Sequence, residues 1–163
     1  MPTETQILAH VMDRTREYTL SYFDRLKDQD LHRRFVCEGK ELNSAFWLIA
    51  HLATTENGLL LMATGGPFHK FSWAKHFTLG GAGLPPAECP PFAEVFALFN
   101  DVHARAIAHV ASLPPEALER PNVTNLPAIG NTVRDVITHA IRHEGSHVGH
   151  LGWLCKLYGI RTM

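Results

Sequence analysis

The sequence is poor in cysteine: three residues, Cys37, Cys89 and Cys155, far apart and odd in number. No CxxC pair or disulfide framework is present, so the natural setting is a reducing cytoplasm. Cys155 falls on an apolar helical stripe and reads as a small core residue. Charge of one sign is also missing, with 15 Lys+Arg against 16 Asp+Glu. That balance argues against a nucleic-acid partner, which needs a basic face, and against a polybasic membrane anchor. No apolar run approaches the roughly 20 residues that span a bilayer. The opening MPTETQILAHVMDRT is polar and mixed in charge and does not read as a signal peptide. There is no Ser-His-Asp signature, Gly-rich phosphate loop or flavin motif, and no cysteine is placed as an obvious nucleophile. Period-two alternation, internal repeats, heptads and low-complexity tracts are absent as well.

What is present is helical periodicity. The 163 residues, 45% of them apolar, suffice for one domain with a hydrophobic core, expected to span 1–163. Four helices are predicted. The first runs from about Glu4 to Gln29 with Ile7, Leu8, Val11, Met12, Thr15, Tyr18, Tyr22 and Leu26 on its inner stripe. The charged stretch Asp28–Lys40 reads as a connection. The second helix runs from about Asn43 to Thr64, capped by Asn43 or Ser44, ended by Gly65-Gly66-Pro67, and lined by Leu48, Leu52, Thr55, Leu59 and Met62. The long stretch Gly65–Pro91 carries Phe68, Phe71, Trp73 and Phe77 with His69 and His76, and leaves two readings: a lid over the bundle or a packed surface loop. The third helix starts near Pro91 and stops before Pro114-Pro115; a loop follows from Pro114 to Gly130. The fourth opens at Asn131-Thr132, where Thr132-x-x-Asp135 is a loose capping box, and runs to about Tyr158. The fold class expected is all-α, a four-helix bundle, with the second loop long enough to allow a crossover.

Eleven histidines is a high count, and His139, His143, His147 and His150 lie within twelve residues. On a wheel of about 100° per residue, His147 falls within the stripe of Val133, Val136, Ala140, Leu151, Leu154 and Tyr158, and His143 lies to one side of it. Residues four apart stack on one face, so His143 and His147 can reach one point, the HxxxH arrangement of a metal clamp. A site with one open position needs a third ligand, and His51, between Leu48 and Leu52, points the same way from the second helix. Glu144 is the candidate catalytic residue, orienting a ligand or acting as a base on activated water; a rim salt bridge is its plainer role, and Glu56 has the same two readings. His10, His32, His69, His76, His103 and His109 read as surface or loop residues, and His139 and His150 as lining for the pocket. A core with hydrogen-bonded histidines and no metal is the alternative.

Two patches carry a family likeness. Trp47-Leu48-Ile49-Ala50-His51-Leu52 with Glu56, and Thr132 to Gly159 with its H-x-x-x-H, resemble the second and last helices of the DinB-like superfamily. The sequence departs from that pattern at His150, where the family commonly has glutamine, and Gly65–Pro91 matches no motif. The resemblance implies an up-down-down-up four-helix bundle, often a homodimer. It implies one divalent metal ion, zinc or nickel and sometimes iron, held by His51, His143 and His147. Some members are transferases or isomerases that use low-molecular-weight thiols. The functional expectation is therefore a metal-dependent enzyme that activates water or a small thiol toward a small-molecule substrate; a non-catalytic metal- or ligand-binding bundle is the alternative.

Overall fold

Thr3 begins the first helix by accepting from the backbone of Gln6, whose side chain returns the bond, a reciprocal cap. The computed structural model describes residues 1–124 and 128–162. Its helices are α1 (Glu4–Leu26), α2 (Ala45–Glu56), α3 (Phe92–Ser112) and α4 (Val133–Leu157). Ser44 caps α2 by accepting from Trp47, and Thr132 and Asp135 form the box that opens α4. The loop expected at Pro114–Gly130 lies partly, at 125–127, outside the described residues.

Contacts along the rods fix their directions. Arg134 meets Glu4, Glu144 meets Arg16 and Arg161 meets Arg25, so α4 runs parallel to α1. Thr5 reaches Leu113 while Arg16 reaches Phe99, so α3 runs against α1. Phe46 packs on Phe92, and Thr64 bonds His109, so α2 runs with α3. The order is up-down-down-up, and the crossover from α2 to α3 supplies the long connection it requires.

Two departures from expectation concern local structure. The connection before α2 contains a hairpin, β1 (Val36–Cys37) paired antiparallel with β2 (Lys40–Glu41). Glu38 and Gly39 both take positive φ, 48° and 77°, as a two-residue hairpin turn needs. Strands of two residues are too short to show alternation. The second helix stays α-helical only to Glu56; Asn57–Met62 continues as a wider π-helical turn, with Ala63 donating to Gly58. Met62 is thereby exposed rather than internal.

The inner stripe of α1 also differs. Thr5, Ala9, Met12, Arg16, Thr19, Phe23 and Leu26 are buried, whereas Ile7, Val11 and Tyr18 face outward. An apolar wheel could not count Arg16 as interior, because only its buried partners make that placement tolerable. By contrast, α2 is buried all round from Ala45 to Ala53. Of the two readings of the Gly65–Pro91 stretch, packing describes what is seen: Trp73 and Phe77 enter the main core beside Phe46, and Phe71 packs against it. Among the described residues no helix is long and apolar enough to cross a membrane.

Candidate metal centre

The antiparallel pairing of α2 and α4 sets His51 opposite His143 and His147. Ring centroids of His51 lie 5.1 Å from His143 and 4.9 Å from His147. The Nε2 atom of His143 is 3.1 Å from Nε2 of His51 and 3.1 Å from Nε2 of His147. Three ligands about 2.0–2.1 Å from a tetrahedral ion stand about 3.3 Å apart. The observed spacing is therefore close to that of a filled site.

Protonation sharpens the argument. Nδ1 of His51 is 2.6 Å from the carbonyl oxygen of Phe77, which can only accept. The proton is on Nδ1, and Nε2 presents a lone pair toward His143. His143 has one function at Nε2, a proton or a lone pair, and cannot satisfy both neighbours with it. A shared cation satisfies all three. All three rings are held neutral: burial lowers the pKa of His51, and burial with the adjacent imidazoles brings His143 to about 4 and His147 to about 3. Neutral imidazole is the form that binds a metal.

The three histidine rings are braced from outside. Trp47 stacks on His51 at 4.5 Å, and its indole N–H donates to the Gly81 carbonyl. The crossover between α2 and α3 thus holds His51 twice, through Phe77 and through Trp47. Gly83, at φ +81°, lies so close that a Cβ there would be 2.9 Å from the Trp47 ring. On α4, Nδ1 of His150 is 3.1 Å from Nδ1 of His147, and His139 stacks on His143. His150 therefore offers His147 the outer partner that metal-bound imidazoles usually have. His147 is half-buried at the edge of the stripe, whose centre passes through Ala140, Glu144 and Leu151.

A second group, Glu56, His103 and Glu144, also brings three potential ligand atoms within 4.8 Å of one another. Its positive charge is already supplied by Arg16. The guanidinium donates through Nη2 to Glu56 (2.6 Å) and through Nε to Glu144 (2.7 Å), and lies 3.6 Å over the Phe99 ring. Thr19 donates to Glu144 at 2.6 Å, and His103 bonds Glu56 at 2.7 Å. Burial opposes the charge on Arg16, but the two carboxylates outweigh it and raise the pKa. Burial likewise opposes the Glu56 carboxylate, and Arg16 and His103 outweigh that and lower its pKa.

This network corrects two sequence expectations. His103 is buried, not a surface residue, and the salt bridges of Glu56 and Glu144 lie in the core, not at a rim. His109 is also tied in, through Thr64. Arg16, Thr19, Trp47 and the Phe77 carbonyl were not foreseen. Arg16 had a signal, since Met12, Arg16, Thr19, Phe23 and Leu26 share helical spacing. A small cavity of about 10 Å³ is bordered by His143 as well as by Glu56 and Glu144 of the network.

Fold and cluster together define a class: four-helix bundles whose facing helices converge histidines able to coordinate a divalent ion. The chain belongs to the DinB superfamily, whose family model matches residues 12–151, a span containing all three histidines. No curated protein matches the chain.

Proposed function

We propose that the protein is a metal-dependent enzyme in which His51, His143 and His147 hold one divalent ion, zinc or nickel, and iron less readily, and that it acts on a small molecule. The observation that carries this reading is the approach of three Nε2 atoms at 3.1 Å contacts from neutral rings on two helices. His51, His143 and His147 would hold the ion as neutral ligands and leave it its full charge, and it would supply Lewis acidity toward water or a thiol. The thiol chemistry of some members of the superfamily supports a thiol-transferase or isomerase reading, with hydrolysis as the other chemistry of the same site.

The chain's own residues have distinct parts in this reading. The Phe77 carbonyl holds His51 in the tautomer that leaves Nε2 free, Trp47 fixes the plane of that ring, and Nδ1 of His150 stands where it can accept from Nδ1 of His147. Glu144 has both oxygens engaged by Arg16 and Thr19. Its part is to tie α4 to α1 beneath His143, rather than to act as the base. A reducing, cytoplasmic setting suits the three free cysteines and a small-thiol co-substrate.

Elemental analysis of untagged protein tests the site. About one equivalent of zinc or nickel is expected, lost in His147→Ala; metal content unchanged by that substitution rejects the ligand assignment. Metal-dependent turnover with a panel of small thiols and electrophiles is expected for the enzyme. Activity no greater than in a chelated control would leave a non-catalytic metal-binding bundle.

A further inference from the structure

Beside the histidines, the β1–β2 hairpin, the start of α2 and the last turns of α4 line a cavity of about 530 Å³ that is open to solvent on one side. Its wall includes Leu42, Leu48, Trp153, Leu154, Leu157 and His150. Leu48 and Leu154 are core residues, whereas Trp153 and Leu157 are 64% and 45% exposed. Costly exposed apolar groups around a hollow of this size are the usual form of a small-molecule site, which spans about 300–1,000 Å³.

Its position links it to the metal centre. Leu48 is three residues before His51 on α2, and His150 is three residues after His147 on α4, about 4.5 Å along each axis. His150 borders the cavity and bonds His147 at 3.1 Å. A ligand in the cavity therefore meets His150, which is in direct contact with His147, so a substituent that passes His150 would come to the three histidines. The wall also sets the ligand's charge. Glu41 is its one carboxylate and is paired with Arg34 at 3.3 Å, so nothing calls for a charged body.

We infer that this cavity binds the body of the substrate: an uncharged aromatic or branched aliphatic group of about one ring, carrying a metal-seeking head such as a thiol. The inference rests on the proposed metal site for the head, but not for the body.

Two titrations test it on full-length untagged protein. Benzyl alcohol has the ring without the sulfur. It is expected to shift the Trp153 indole resonance saturably with or without zinc, and not to do so in Leu157→Glu, which places a charge at the wall. On zinc-loaded protein, benzyl mercaptan is expected to bind at least about ten-fold more tightly than 2-mercaptoethanol, as burial of a ring implies. In Leu157→Glu the difference should fall to about two-fold. An unmoved Trp153 resonance overturns the inference, as does a thiol preference that survives Leu157→Glu. So does a Trp153 buried by self-association that excludes benzyl alcohol. Protein that takes up no zinc would sink the metal reading, while the benzyl alcohol titration still decides the cavity.

Discussion

The imidazoles of His51, His143 and His147 are held neutral by their surroundings, and this has a consequence for stability. The pKa values of His143 and His147, about 4 and about 3, lie below the unfolded value near 6.5. Above pH 6.5 both states are neutral and stability is at its full value. Below it, the unfolded chain takes up protons that the native rings refuse, so stability falls as pH drops toward 4 and then 3. In metal-free protein the urea midpoint is expected to decline steadily from pH 6.5 to 4. The decline should be shallower in His143→Gln/His147→Gln, and a midpoint independent of pH would contradict neutral burial. At this scale the sequence was informative for side chains and silent for backbone. His51, His143 and His147 were legible because HxxxH spacing and an apolar stripe are written in residue types. The acceptor that orients His51 was not, since a carbonyl at Phe77 has no identity in a sequence.

At the scale of elements, the four rods were legible because caps, breakers and apolar spacing agree for each. Ser44, the Thr132–Asp135 box and Pro91 stand where the sequence placed them. The rotation of α1 was legible only in part: Met12, Thr19, Phe23 and Leu26 carry the spacing of its buried face, but Arg16 between them reads as outward unless its partners are known. Those partners come from three other helices, at separations of 40, 83 and 128 residues. Arg16 is thus the common pin of the bundle. Arg16→Met strands two buried carboxylates and is expected to cost about 3–5 kcal/mol in chemical denaturation. Adding Glu56→Gln and Glu144→Gln should recover most of that loss, because the cost arises from uncompensated charge. Full loss in the triple variant would mean that packing, not charge, governs the site.

For the whole molecule, topology and chemistry meet in the crossover from α2 to α3. An up-down-down-up order needs a connection spanning the bundle's length, and this chain uses it to grip His51. Gly83→Ala would press a methyl group on Trp47 and strain a positive φ. Zinc affinity, measured by chelator competition, is expected to fall about 10–100-fold, the usual effect of disturbing a ligand's outer partners. An unchanged affinity would show that the Trp47 stack does not position the ring. The family likeness did not anticipate this strap, because its sequence matches no shared motif. One further result follows from where the strap is open to attack. Leu79, nearly fully exposed, lies two residues beyond Phe77 and just before the left-handed Gly80. A single protease cut there would leave all four helices whole and yet slacken the grip on His51, so nicked protein would be folded and, if the proposed site holds an ion, poor at retaining it.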